Sequence, residues 1–463
     1  MSLSFTRLSA RLSAPRDAAS LAAFRALFGL VMAGGVVRYF ANGWIDRFYV
    51  QPAFHFHYAG FAWVQPLPAP WIHLVFAAIG VCGLLIAVGW FYRPAAVVFT
   101  VLFHYVHLLD VSNYLNHYYL VGLLGLVFIV LPLNATWSID AQRDPSRRRD
   151  TLPAWMLYLV RFHVGLVYVF AAVAKIGPDW LLHGQPLGIW LTARTDTPVI
   201  GAFLDEPAVA LAMSWVGFLY DLTIVFWLSW RRSRPAAYVV VCVFHFFTHV
   251  FFNIGIFPFL MTVVATIFFA PDWPRRWLRC AAPARAIERA TAARLSPALA
   301  AILGLWCLAH VLVPLRAFAY GGDVHWHEQG MRWSWRVMVR EKNGDVRYRV
   351  RVDGESRERV VRPSRYLNRE QELEFGAQPD LILQLAHRIR DDMYAEGHQD
   401  VEVRADAWAS LNGRRSARLI DPDVDLGAVE PSWGSATWIL PAPEGPPMQI
   451  RSWRQRLANG AEP

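Results

Sequence analysis

Over the first two thirds of the chain, runs of apolar residues alternate with short polar segments, and near Val313 this pattern gives way to a polar one. A hydrocarbon core about 30 Å thick needs roughly 20 mostly apolar residues per helix. About nine runs approach that length: 21–40, 71–92, 95–110, 118–134, 154–175, 207–229, 236–252, 254–271 and 297–315. The third is short, and only Asn253-Ile254-Gly255 separates the seventh from the eighth, so the count has a margin of one. The first run continues beyond signal-peptide length with no cleavage site after it, so no removable leader is expected.

From about residue 320 the periodicity changes. Trp333 to Arg340 and Val346 to Val352 flank Lys342-Asn343-Gly344-Asp345, which predicts a hairpin with an Asn-Gly turn. Leu381, Leu385, Ile389 and Met393 recur every four residues within Asp380 to Tyr394, the pattern of an amphipathic helix. Val401 to Trp408 alternates apolar and polar as a half-buried strand does. The expected architecture is an α-helical polytopic membrane domain at 1–316 and a small extracytoplasmic α+β domain at 317–463.

Charge orients this scheme. Short cytoplasmic loops carry the excess of basic residues. Here Arg7, Arg11 and Arg16 precede the first span, Arg93 follows the second, and Arg143, Arg147, Arg148 and Arg149 follow the fourth. Arg231, Arg232 and Arg234 follow the sixth, and Arg275, Arg276, Arg279, Arg285, Arg289 and Arg294 follow the eighth. Every second loop is arginine-rich, which puts the N-terminus in the cytoplasm and the polar region outside, in the periplasm or the endoplasmic reticulum lumen.

Composition agrees: 55% of residues are hydrophobic and 17% charged, against roughly 45–50% and 25% in ordinary soluble domains. The net charge of +9 is accounted for by these loops, so no nucleic-acid partner is expected. Cys82, Cys242, Cys280 and Cys307 have no paired spacing, which implies neither a disulfide framework nor a metal centre.

Ionisable residues inside apolar spans are functional candidates by default. Of 45 lysines and arginines, only Lys175 and Lys342 are lysine, and Lys175 ends the fifth span. A lysine there can snorkel to water, but unlike arginine it can also become a neutral base when desolvated. Asn116 and His117 open the fourth span at the same outer level, and His245, His249 and Asn253 sit at the end of the seventh. Four-residue spacing of two histidines suits a metal, but no glutamate completes such a set, and packed histidines are the expectation.

Several motifs in order then become recognisable. They include Phe24-Arg25-Ala26-Leu27-Phe28-Gly29-Leu30, Gln65-Pro66-Leu67-Pro68, Asn116-His117-Tyr118-Tyr119-Leu120, and Asn253-Ile254-Gly255-Ile256-Phe257. Further along come Pro271-Asp272-Trp273-Pro274-Arg275, Gly330-Met331-Arg332-Trp333-Ser334-Trp335, Tyr366-Leu367-Asn368, Asp406-Ala407-Trp408-Ala409-Ser410-Leu411-Asn412 and Asp421-Pro422-Asp423-Val424-Asp425. Through these the chain resembles the vitamin K-dependent γ-glutamyl carboxylase family, with its HTTM-type membrane domain, over nearly its whole length.

The resemblance implies a carboxylase of the carbon–carbon lyase class. Oxidation of reduced vitamin K by O2 to the epoxide would be coupled to addition of CO2 at the γ-carbon of a peptide glutamate. The γ-proton is too weakly acidic for any side chain, and oxygenation of the hydroquinone supplies the stronger base. By resemblance Lys175 is the catalytic base, with His117 supporting it and Asn116 beside it, and His245 and Asn253 belong to the cofactor site. Glu328, Gly330, Arg332, Trp333, Ser334 and Trp335 match the region associated with the glutamate-bearing peptide, where Arg332 would hold a carboxylate. The plainer reading of this stretch is the first strand of the outer sheet, with its aromatics in the core.

The implied cofactor is phylloquinol or menaquinol, with O2 and CO2 as co-substrates and no metal. The implied partners are a glutamate-containing peptide or protein, the lipid bilayer and a quinone-reducing system. Ala174 departs from the Lys-Lys of the animal enzymes, their disulfide has no counterpart among the four cysteines, and the chain runs little beyond Trp438, so propeptide docking is not implied. Arginine in place of lysine and abundant alanine suggest a GC-rich, bacterial genome, hence an inner-membrane location and menaquinone. Two other functions stay open: a quinol oxygenase that carboxylates no peptide, and a non-enzymatic membrane binding or transport protein.

Overall fold

The apolar runs form helices whose small residues let them pack closely. The computed structural model describes residues 2–280 except 253, and 295–448 except 354 and 356. Asn253, Arg285, Arg289 and Arg294, singled out above, lie outside the described residues. Seven helices are long and apolar enough to cross a membrane. They are α1 (Ala19–Ala41), α2 (Ala69–Val88), α3 (Tyr92–Leu109), α5 (Ala154–Ala174), α6 (Pro207–Ser229), α7 (Arg234–Phe251) and α9, which starts at Pro297 and ends at Leu315. Two shorter apolar helices, α4 (Asn116–Val130) and α8 (Phe257–Phe268), occupy the fourth and eighth expected spans.

Without a hydrophobic drive inside a bilayer, helices associate where small residues allow close approach. Gly29 of α1 is such a point: a Cβ there would lie 2.7 Å from the Ala87 backbone nitrogen of α2. Helix α5 is the most enclosed of the seven, with 67% of its apolar window buried, whereas α9 has 11% and lies at the periphery. Some polar groups within the bundle are satisfied internally, as a lipid solvent demands. The Arg25 guanidinium, for instance, donates to the carbonyls of Leu133, Ile86, Ala87 and Trp137.

The arginine-rich loops gather at one end. Arg275 bonds both Asp17 and Asp150, and the segment Pro15–Asp17 pairs antiparallel with Thr151–Pro153. The opposite end carries a four-stranded antiparallel sheet, ordered β2 (Arg359–Val361), β1 (Lys342–Val352), β3 (Val401–Leu411) and β4 (Ala417–Arg418). On this sheet packs helix α11 (Pro379–Ala395), preceded by the short helix α10 (Arg369–Phe375). Leu381, Leu385, Ile389 and Met393 are all fully buried, each contributing about 1.5–3 kcal/mol of apolar burial. Strand β3 alternates as expected.

The expected hairpin does not form. Lys342 to Val352 is one continuous strand, in which Asn343 pairs with Ser410 and Gly344 with Ala409. Gly344 lies against the Gly376 carbonyl, where no side chain fits, so the glycine serves a close approach and not a turn. The preceding segment cannot be a strand because Trp333, Trp335 and Met338 adopt φ of 60°, 56° and 50°. Its aromatics nevertheless pack inward, as the plainer reading expected. The loop after α1 enters the core of the sheet domain: Phe56 is fully buried, with its ring 6.0 Å from that of Phe375, and Gln384 hydrogen-bonds both backbone groups of His57.

Candidate functional site

The first polar cluster is at the C-terminal end of α5. Lys175 caps that helix, and its ammonium turns inward, donating to Asp221 Oδ2 at 2.8 Å and to the Ala171 carbonyl at 3.2 Å. Nζ also sits 5.1 Å from the Trp180 ring centroid. Lysine and aspartate are both buried, so this lysine does not snorkel to water. Four residues on, Asp179 receives two hydrogen bonds of 2.7 Å from Arg414 and one of 2.8 Å from Asn412, which fastens this end of the bundle to the sheet domain. Burial alone would raise the Asp179 carboxyl, but Arg414 and Asn412 outweigh it and hold the group below its ordinary range.

The second cluster lines a cavity of about 620 Å³ between α1, α2, α3 and α4, closed on the domain side by Val337, Met338, Glu370, Leu373 and Glu374. Its walls are mainly aromatic and aliphatic, with a few convergent polar groups, the usual make-up of a site for an apolar small molecule. Asn116 and His117 both line it. Asn116 donates to the Arg336 carbonyl at 3.2 Å and accepts from the Tyr114 hydroxyl at 3.1 Å, so its position is fixed from both sides. Tyr39 and Tyr118 line it too, with their hydroxyls 2.7 Å apart. His107 Nε2, buried in the cavity wall, has no hydrogen-bond partner among the described residues.

His245 is adjacent to this cavity without lining it. Its ring is 5.9 Å from that of Phe257, which on its other side is 5.7 Å from His117. Tyr168 and Tyr220 hold His245 Nε2 at 3.3 and 3.5 Å, and its Nδ1 has no partner among the described residues. Tyr220 precedes Asp221 in α6. A seam of polar side chains, Asp221, Tyr220 and His245, thus leads from Lys175 toward Phe257 and His117. Lys175 and His117 themselves are not in contact, and Lys175 does not line the cavity.

None of the residues of the stretch 328–335 lines this cavity. Glu328 pairs with Arg340 at 3.1 Å and Lys342 at 3.4 Å. Burial lowers the Lys342 ammonium to about 8 despite the pull of Glu328. Gly330, at φ 75°, lies against Ala317, where a Cβ would be 2.7 Å from the Cα. Arg332 donates to Asp380 at 2.5 Å and to Gln378, so in this structure its guanidinium is engaged within the sheet domain. Trp333 stacks on Tyr58, Ser334 bonds the Met331 carbonyl, and Trp335 packs on Tyr119 with ring centroids 4.8 Å apart. The stretch backs the wall that Val337 and Met338 present to the cavity.

Sequence reasoning missed Asp221, Arg38, His107 and Tyr39. Asp221 was accessible to the same rule that found Lys175, being an acid inside an apolar run. Arg38 and His107 also lie inside apolar runs, 21–40 and 95–110, but only the helix packing brings them to one space.

The HTTM domain model matches residues 13–273. The model of the vitamin K-dependent gamma-carboxylase lumenal domain matches residues 295–445. No solved structure matches the chain. The HTTM match alone takes in more than half of the 463 residues, and the lumenal-domain match follows in the order that the helices and the sheet require. The chain therefore belongs to the HTTM-domain, vitamin K-dependent gamma-carboxylase family.

Proposed function

We propose that this gamma-carboxylase-like protein couples epoxidation of a reduced vitamin K to carboxylation of peptide glutamate, with the reaction centred on the cavity between α1 and α4. The observation that carries the reading is the cavity itself: an apolar, aromatic space of about 620 Å³ holding the Tyr39–Tyr118 hydroxyl pair, Asn116, His117 and the unpartnered His107 Nε2 at the junction with the outer domain. These residues fit a naphthoquinol: an aromatic box for the rings, and donors and acceptors for the two ring oxygens. Bound there, the quinol would supply, on reaction with O2, a base stronger than any side chain.

The chain's own residues supply the rest. Lys175 is the proposed base, by its match to the family motif. Its partner Asp221 makes proton movement inexpensive, since the pair can exist as ammonium and carboxylate or as amine and acid with the same net charge. In a low-dielectric site such a neutral exchange avoids isolating a charge. His245 and Tyr220 lie along the line from that pair to the cavity, and Asn116 and His117 orient the reacting oxygens. The aromatic walls exclude water, which a carbanion at the glutamate γ-carbon requires.

The proposed division is 1–316 for the membrane domain and 317–463 for the outer domain. We also propose a cytoplasmic N-terminus, an extracytoplasmic sheet domain, a bacterial inner-membrane location with menaquinol as the native quinone, and a separate quinone-reducing system as partner. Protein in nanodiscs, given vitamin K hydroquinone, O2, labelled bicarbonate and a glutamate-rich peptide, tests the reading. Epoxide and peptide label should form together and disappear together in Lys175→Ala. Epoxide without label would mark a quinol oxygenase, and neither product in the wild type would overturn the proposal.

A further inference from the structure

Around the cavity, nearly every charge has a counter-charge. Asp46 pairs with His73 at 3.4 Å, and Glu370 is paired with Arg47. Arg332 is taken up by Asp380 and Gln378. Among the described residues two charged groups lining the cavity have none: Glu374, which accepts a hydrogen bond from Gln378, and Arg38. Arg38 lies in the last turn of α1 and is half-buried. Among the described residues no side-chain or backbone acceptor and no acid engages its guanidinium. One face of the group is covered by the Trp44 ring, 5.1 Å away, which leaves the N–H donors at its edge. The turn at Gly255, beside Phe257, lies next to it, since a Cβ on Gly255 would be 3.9 Å from Nη1.

A guanidinium in a largely apolar pocket is costly to keep unpaired. Beside an aromatic ring, it still has paired N–H donors of the kind that match a carboxylate. We infer that Arg38 is the anchor for the carboxylate of the glutamyl side chain, received in the cavity beneath Val337 and Met338. This inference rests on the carboxylase reading and adds to it the residue that selects glutamate. A paired donor also suits the two carboxylates of the product, so the same contact persists through the addition of CO2.

Binding without turnover tests it. A fluorescent glutamyl peptide and its glutaminyl counterpart are titrated, without oxygen, into the full chain in nanodiscs, using wild type, Arg38→Gln and Arg38→Lys. Binding of the oxidised quinone is followed in parallel by tryptophan quenching. Charge-assisted hydrogen bonds of this kind lead us to expect a preference for glutamate of about tenfold or more in the wild type. Arg38→Gln should erase it, Arg38→Lys should keep part of it, and quinone binding should be unchanged in both.

A wild type that does not distinguish the peptides, or a preference that survives Arg38→Gln, overturns the assignment. So does a loss of quinone binding in Arg38→Gln matching the loss of peptide binding, which would make the quinol oxygen the anion. If the wild type forms both products yet Arg38→Gln keeps the preference, only the anchor fails. If the wild type forms neither product, the carboxylase reading fails first.

Discussion

Two polar clusters lie in the helical part of the molecule, and they are built on opposite principles. At the end of α5, Lys175 and Asp221 satisfy each other at 2.8 Å inside a buried site. At the cavity between α1 and α4, Arg38 in the lining and His107 Nε2, buried in the wall, are left without partners among the described residues. A self-satisfied pair needs no ligand to be stable and can pass a proton internally. Unmatched donors and acceptors in an apolar space need a ligand to complete them. The first arrangement suits a proton store, the second a binding site, and the polar seam through Tyr220 and His245 lies between them.

The largest expected effect breaks the first cluster. Lys175→Ala leaves Asp221 buried and unpaired, which should cost about 3–5 kcal/mol of stability as well as both products. Lys175→Arg keeps the charge and should fold, yet lose epoxide formation by about a hundredfold or more, because arginine cannot be deprotonated in practice. Unfolding curves beside turnover separate the two variants, and normal turnover in Lys175→Arg would remove the base assignment.

His107→Phe sharpens the contrast from the other side. Replacing an unpartnered polar atom by an apolar ring should leave stability unchanged or raise it slightly. Quinone affinity should fall by about tenfold, the worth of one hydrogen bond, measured by tryptophan quenching. A stability loss without an affinity change would show that the ring only packs.

A smaller effect is expected where the two guanidinium groups are compared. Arg332→Gln should lower the stability of the outer domain by about 1–3 kcal/mol, since it frees Asp380. It should leave the preference for glutamyl over glutaminyl peptide intact, unlike Arg38→Gln. Equal loss of that preference in both variants would restore Arg332 as a carboxylate ligand.

The least effect at neutral pH is that of protons on Asp179. Its folded carboxyl is held below the ordinary value, so the tie to Arg414 and Asn412 is fully present above the unfolded value of about 3.9. It is lost as pH falls through the lower folded value. Protease release of the outer domain should therefore rise on acidification below about pH 4, and Asp179→Asn should flatten that rise.

Periodicity made most of the fold legible. Nine apolar runs became seven long helices and two short ones, and Leu381, Leu385, Ile389 and Met393 buried the face expected of them. The Asn343-Gly344 turn failed because a local turn signal was overridden by eleven residue pairs of strand register with Val401 to Leu411. Lys175 and His117 were legible as charges or imidazoles at span ends. The pairings around them were not, because Asp221 is 46 residues from Lys175 and Tyr39 is 79 from Tyr118, and only the packing of α1 on α4 and of α5 on α6 joins them. In the stretch 328–335 the sequence does not reveal the positive φ of Trp333 and Trp335, or that the charge of Arg332 is engaged by Asp380.

The account stands on the cavity being the quinol site, and photoaffinity labelling tests that most directly. A naphthoquinone bearing a photoreactive group on its ring is irradiated with the full chain in nanodiscs, and the labelled peptides are identified by mass spectrometry. The account predicts saturable labels on Tyr39, His107, His117 and Tyr118, competed by unlabelled quinone and weakened in His107→Phe. Saturable labelling confined to the lipid-facing groove between Leu30 and Leu84, or to the outer sheet, would contradict it.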